Sequence, residues 1–203
     1  MKVTCKKMLI AGVGGQGIVY LSNIIMETAM LSDIPVSVSE IHGLSQRGGV
    51  VTSGIGLGEN CTGFIGEAGV DLLIGLEPLE TQRCLSFLHK GSSVIFGNYR
   101  VQPYSVNAQM AEYPDVNLFV DYLKKQCKEV VFIENFPEKI DAVLYNIFLL
   151  GRASRMQNFP FKASKIEEAI QNNVHGYYKE KTLMAFKMGL EFDIKRTSSK
   201  IIL

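Results

Sequence analysis

The sequence predicts a single α/β domain over residues 1–203, with a mostly parallel, Rossmann-like sheet flanked by helices and further helices at the C-terminal end. Three observations carry this reading. A short apolar run leads directly into the glycine turn Gly12-Val13-Gly14-Gly15-Gln16-Gly17, and helical periodicity follows it at once. Short apolar runs then alternate with amphipathic segments, as βα units do. At 47% hydrophobic and 20% charged residues, the 203-residue chain has the composition of a globular domain with a sizeable buried core.

Residues 8–13 read as a buried strand. From 17 to 31, Ile18, Leu21, Ile24, Ile25, Thr28, Ala29 and Leu31 recur at helical spacing. Pro35 resets the chain, and 36–41 reads as a second strand, completing a βαβ unit. Residues 50–55 form another β-rich stretch. No helix fits between it and its predecessor, so it is expected to run antiparallel to its neighbour or to lie at the sheet edge. Strands follow at 71–76, 93–97 and 130–133. Helices are predicted at 79–88, with Pro78 in the first helical position, and at about 116–126. Residues 141–150 form an apolar helix suited to packing on the sheet. Helices over 164–173 and 179–192 close the chain, and Ser164 with Glu167 has capping-box spacing. The α/β core is expected to span about 1–160, and the helical part about 161–203.

The charge balance, 21 basic against 20 acidic residues, gives no sign of a nucleic-acid partner. No apolar run approaches the roughly 20 residues of a membrane span. The basic start is not followed by an apolar stretch long enough for a signal peptide, so a cytoplasmic protein is expected. The four cysteines, Cys5, Cys61, Cys84 and Cys127, form no C-x-x-C pair. They read as scattered reduced thiols, with no metal site or iron–sulfur cluster in this chain.

The turn satisfies G-x-G-x-x-G between a strand and a helix, where glycines permit positive φ and helix N–H groups are free to meet an anion. Glu40, about 20 residues on, stands where a dinucleotide-binding fold carries its ribose acid. A dinucleotide, another phosphate-bearing ligand and a purely structural turn all fit this pattern. The second cluster, Ser45-Gln46-Arg47-Gly48-Gly49, offers a forked cation beside residues that let an anion or a partner's backbone approach. Its bland alternative is a polar surface loop. Both clusters follow the C-terminal ends of strands expected to be adjacent, which suggests a shared crevice. His42 reads as a loop residue fixing Glu40, or as an acid–base group.

Gly14-Gly15-Gln16-Gly17-Ile18 together with Ser39-Glu40-Ile41-His42-Gly43-Leu44-Ser45-Gln46-Arg47-Gly48-Gly49 resembles the gamma-type domain of 2-oxoacid:ferredoxin oxidoreductases. The Glu40 to Gly49 segment is similar to that of the indolepyruvate type. Asp71 to Glu80, Asn146 to Gly151 and Lys181 to Gly189 extend the resemblance over nearly the whole chain. The resemblance implies oxidative decarboxylation of a 2-oxoacid, an arylpyruvate in the indolepyruvate type, to an acyl-CoA. Ferredoxin takes the electrons. It also implies a large catalytic partner subunit holding thiamine diphosphate, Mg and iron–sulfur clusters, with coenzyme A as co-substrate and this chain inactive alone. No Gly-Asp-Gly segment of the thiamine-binding sort is present here. No catalytic residue is expected. Gly12, Gly14, Gly15, Gln16, Gly17, Glu40, His42, Ser45, Gln46, Arg47, Gly48 and Gly49 are the expected ligand or partner contacts, with Glu40 positioning Arg47. One departure stands out: an arginine common in the family near Gly56 is replaced by Ile55-Gly56-Leu57-Gly58. The competing reading is a free-standing nicotinamide-dependent dehydrogenase.

Overall fold

A computed structural model describes residues 5–43 and 49–193. Among the described residues six strands form one sheet: β1 (Lys6–Val13), β2 (Val36–His42), β3 (Val50–Leu57), β4 (Leu72–Gly75), β5 (Ser93–Gly97) and β6 (Glu129–Ile133). The helices are α1 (Ile18–Met30), α2 (Pro78–Arg83), the one-turn α3 (Tyr104–Asn107), α4 (Val116–Gln126), α5 (Tyr145–Ala153), α6 (Ala163–Asn173) and α7 (Tyr177–Glu191).

The spatial order is β2-β3-β1-β4-β5-β6, and β1, β4, β5 and β6 pair in parallel. Only β3 runs the other way, paired antiparallel with both β2 and β1. Seven residues between His42 and Val50 are too few for the crossover that a parallel pairing needs, which forces that reversal. It also corrects one expectation, because β1 and β2 are not neighbours: β3 is wedged between them, and β2 takes the sheet edge.

Both faces of the sheet are covered. On one side α1, α5, α6 and α7 bury Leu21, Ile25, Phe148, Ile170 and Phe186 against Ile10, Ile74 and Ile95. On the other, Phe119, Val120 and Leu123 of α4 pack on Leu73, Val94 and Phe96. The central strands β4 and β5 are buried along their whole length, which explains their unbroken apolar runs. Among the described residues, no helix is long and apolar enough to cross a membrane.

Several local expectations are revised. The predicted helix at 79–88 is α2 followed by a separate 3₁₀ turn, Leu85–Phe87. The capping box does not form: α6 already begins at Ala163 with Lys162 as its uncapped N-cap, so Ser164 lies inside the first turn. Glu167 turns instead toward Lys187, at 3.9 Å. The helix expected from 141 begins as a 3₁₀ turn, Ala142–Leu144, and becomes α-helical at Tyr145.

The cysteines also depart from the reduced-thiol reading. Pairing of Lys6 with Leu57 brings the start of β1 beside the loop after β3, and Cys5 and Cys61 are joined there by a disulfide, their Cα atoms 5.2 Å apart. The same loop lies so close to β3 that a Cβ on Gly56 would stand 2.4 Å from the Thr62 carbonyl. Gly56 pairs with Lys7, at the opposite end of β1 from the glycine turn. The arginine absent from this stretch therefore takes nothing away from the turn. Titration of the denatured chain without reductant is expected to find two free thiols, Cys84 and Cys127, and titration after reduction four. Four thiols in both conditions would show the bridge to be open.

Candidate functional site

The direction of chain travel reverses between β1 and β4. From β1 the connection leads through α1 toward β2, and from β4 through α2 toward β5. Such a switch point leaves a crevice at the C-terminal ends of the two strands. It is present here as a cavity of about 360 Å³, lined by Val13, Gly14, Gly15 and Gln16 from the turn and by Leu76 beyond β4. Tyr99 and Val101 follow β5, Ala142 and Val143 come from the 3₁₀ turn before α5, and Tyr145, Asn146 and Leu149 from α5 itself.

The turn is held by two side-chain amides. Gln16 accepts from the Val13 N–H through Oε1 at 2.7 Å and donates through Nε2 to the Leu76 carbonyl at 3.2 Å, so one side chain clasps the ends of β1 and β4. Asn146, 5% exposed, donates through Nδ2 to the carbonyls of Gln16 and Gly17 at 3.2 and 3.3 Å, and its Oδ1 accepts from the Ile147 N–H at 2.7 Å. Gly17 is the N-cap of α1 with φ 75°, and a Cβ there would meet Asn146 Nδ2 at 2.4 Å. It must be glycine on both counts. The N-cap, being glycine, has no side chain to accept from the first N–H groups of α1.

The wall carrying Tyr99 and Val101 is anchored by Glu77, a fully buried residue. As the N-cap of α2 it accepts from the Glu80 N–H at 2.9 Å. Its other oxygen accepts from the Val101 N–H at 3.3 Å and from the Tyr113 hydroxyl. Tyr113 in turn accepts from the Leu79 N–H at 3.2 Å and lies under the Arg100 guanidinium, 5.3 Å from its ring centroid. Burial first, then the bond to Glu77 and its charge, push the Tyr113 phenol up, so it stays a proton donor. Burial likewise raises the Glu80 carboxyl against the opposing pull of Arg83, which it meets at 2.8 Å. Burial and then the charge of Glu80 push the Cys84 thiol up to about 12.

The residues singled out in the sequence divide between three places. Gly14, Gly15 and Gln16 line the cavity, and Gly12 and Gly17 flank them. Gly49 reaches the turn, its carbonyl accepting from the Gly14 N–H at 2.9 Å. Glu40 and His42 sit at the surface on the edge strand, paired with each other at 3.2 Å. Ser45, Gln46, Arg47 and Gly48 lie outside the described residues. Glu77, Tyr113 and Asn146 were not anticipated. Glu77 had a readable signal, since it precedes a proline at the first helical position. Asn146 opens a segment that resembles the family, but nothing local reveals its contact, 130 residues away at the Gln16 carbonyl.

Residues 7–192 match the model of the pyruvate ferredoxin/flavodoxin oxidoreductase family. The chain belongs to that family. It is 34% identical over 185 residues to the indolepyruvate oxidoreductase subunit IorB of Archaeoglobus fulgidus, covering 90% of this chain and 92% of the relative. It is 33% identical to the IorB subunit of Methanothermobacter thermautotrophicus, covering 89% and 93%. In fold it is similar to the gamma subunit of a keto/oxoacid ferredoxin oxidoreductase from Geobacter sulfurreducens, with TM-score 0.63, 18% identity and 92% and 96% of the two chains covered. It is also similar to part of the 2-oxoglutarate:ferredoxin oxidoreductase of Magnetococcus marinus, solved with 2-oxoglutarate, coenzyme A and succinyl-CoA bound. There the TM-score is 0.62 at 14% identity, over 93% of this chain and 31% of that one.

Within this pyruvate ferredoxin/flavodoxin oxidoreductase family member, the dinucleotide reading of Glu40 loses its geometric basis. A ribose-binding acid belongs on the strand next to the glycine turn. With β3 interposed, Glu40 is two ladder spacings from β1, about 9–10 Å rather than about 5 Å.

Gln16→Glu would set a carboxylate oxygen against the Leu76 carbonyl, and is expected to cost about 1–3 kcal/mol in urea unfolding. Tyr113→Phe, which removes a donor from buried Glu77, should cost a similar amount by the same measurement. With its pKa near 12, Cys84 in the folded chain is expected to resist iodoacetamide at mildly alkaline pH and to react promptly once denatured.

Proposed function

We propose that this chain is the accessory subunit of a 2-oxoacid:ferredoxin oxidoreductase of the indolepyruvate type. The observation that carries the reading is identity of 33–34% to IorB subunits over about nine-tenths of both chains. The catalytic partner is a large subunit that holds thiamine diphosphate, Mg and the iron–sulfur clusters. Bound there, the thiamine cofactor supplies decarboxylation of the 2-oxoacid and the clusters pass electrons to ferredoxin. This chain's own donors do not suit a cluster. Cys5 and Cys61 are bonded to each other, leaving two thiols where a cluster takes about four.

The part played here is to dock on the large subunit and complete its site from the side of the glycine turn. Gly12, Gly14, Gly15 and Gly17 bring backbone close to the ligand or the partner, while Gln16 holds their conformation. The loop of Ser45, Gln46, Arg47, Gly48 and Gly49 supplies a cation for an anionic group of coenzyme A. Glu40 and His42 flank it at the sheet edge. Gly49 supports this arrangement by joining the end of that loop to the turn through the Gly14 N–H. The dehydrogenase alternative is not favoured, since Glu40 is a strand too far from the turn.

Recovery from the native source with a large, brown, thiamine-containing subunit is the expected outcome, and the lone chain should be colourless and inactive. Iron–sulfur absorbance from the lone chain, or tight NAD binding by it, would overturn the reading. In the assembled complex, Arg47→Ala is expected to raise the KM for coenzyme A about tenfold while leaving assembly intact. Unchanged coenzyme A kinetics would reject the anion role of Arg47.

A further inference from the structure

On the sheet face packed by α4, the cover over β2 and β3 comes from residues 61–65, which follow β3 and double back across it. A turn with Gly58 at φ 110° and Asn60 at φ 61° makes the reversal. The Gly58 N–H donates there to the Pro35 carbonyl at 2.8 Å, and the Cys61 N–H to the Gly58 carbonyl at 3.3 Å. The strands beneath carry small side chains or none: Gly54 and Gly56 of β3 lie opposite Ser39 and Ser37 of β2. A Cβ on Gly54 would overlap the Gly63 carbonyl, and one on Gly63 would stand 2.6 Å from the Ser39 nitrogen. Backbone lies directly on backbone here.

Little else holds this segment down. Thr62 and Phe64 point outward, Phe64 being 70% exposed, and of residues 62–65 Ile65 packs against the core. Ser37 Oγ accepts from the Gly63 N–H at 3.2 Å, and Lys7 Nζ donates to the Phe64 carbonyl at 2.6 Å. Further on, the Ala68 and Val70 N–H groups donate to the carbonyls of Ser86 and Phe87, which anchors the chain again. The covalent tie is the Cys5–Cys61 bridge, whose two ends differ in access: Cys5 is exposed at the start of β1, whereas Cys61 is 6% exposed. Exchange begins when a thiolate reaches one sulfur of a disulfide, so access makes Cys5 the sulfur attacked and Cys61 the leaving thiolate.

We propose that Cys5 and Cys61 form a reversible thiol–disulfide site that latches residues 61–65 onto β2 and β3 and, opened by a dithiol, lets them lift. One thiolate of the dithiol attacks the Cys5 sulfur, forming a mixed disulfide and expelling the Cys61 sulfur, which takes a proton from water. The second thiolate of the dithiol then attacks its own sulfur in the mixed disulfide. This leaves the dithiol oxidised to a disulfide and Cys5, once protonated, as a thiol. Two electrons pass from the dithiol to the bridge, and exchange with another disulfide runs the steps in reverse. The local stability of this edge of the sheet then follows the thiol balance around the chain. The latch lies at the end of β1 away from the glycine turn and does not depend on the accessory-subunit reading.

Dithiothreitol is the probe, applied to the full native chain without denaturant. Iodoacetamide trapping with peptide mass analysis is expected to find Cys5 and Cys61 alkylated after reduction. Once the reductant is removed, oxidised glutathione should restore the bridge. Chymotrypsin cleavage after Phe64 should rise about tenfold on reduction, while Phe96, buried in β5, stays uncut. Cys5→Ser should be cleaved after Phe64 at the reduced rate with or without dithiothreitol. A bridge that dithiothreitol opens only in denaturant overturns the proposal, as does one that opens with no change in cleavage after Phe64. Cleavage after Phe64 and Phe96 rising together also overturns it, since the bridge is then a staple of the whole fold. So does a native chain with four free thiols that oxidised glutathione leaves open.

Discussion

Between Val13 and Ile18 the chain leaves a strand, reverses and enters a helix, and most of its peptide groups have no ladder or helical partner of their own. Gln16 and Asn146 supply what the backbone lacks. Together with the backbone bonds from the Gly14 N–H to Gly49 and from the Gln16 N–H to Val13, these two amides hold the half-buried turn in shape. Gln16 also reaches Leu76, which ties the ends of the two strands that diverge at the crevice. Asn146 brings α5 against the same point. The buried apolar side chains of α5 seat the helix on the sheet, and Asn146 joins its first turn to the glycine turn.

A second buried polar group organises the other side. Glu77 caps α2, holds the chain after β5 and accepts the Tyr113 hydroxyl, so three segments with no sheet contact to one another share one carboxylate. Its donors compensate the cost of burying charge. The neighbouring Glu80 has a buried oxygen with no partner, and burial raises its pKa although Arg83 opposes this.

Most of the architecture was legible because it depends on local pattern. The apolar runs of β1, β4 and β5, the helical period of α1 and α4, and Pro78 at the start of α2 all act within a few residues. Antiparallel β3 was legible too, since no helix fitted before it. Its place inside the sheet was not. Whether a hairpin strand adds outside its predecessor or inserts next to β1 depends on which faces bury more surface, and only the assembled core decides that. The disulfide escaped notice for the same reason: residues 56 apart in sequence meet only through the β1–β3 register. Of the site, the glycines were visible, whereas Glu77, Tyr113 and Asn146 act through contacts 24 to 130 residues long.

The wedged strand also orders how the sheet can form. In a simple βαβ unit the first two strands pair as soon as both exist. Here β1 and β2 have no ladder in common, and each pairs on that side only with β3. A chain emerging from the ribosome has therefore made α1 and two strands before residue 50 without closing a single strand pair. When β3 arrives it closes two ladders at once, one to a near neighbour in sequence and one across a loop of some 40 residues, where chain entropy slows closure. The first half of the sheet waits on β3, and its residues 50–57 are where slow folding would concentrate.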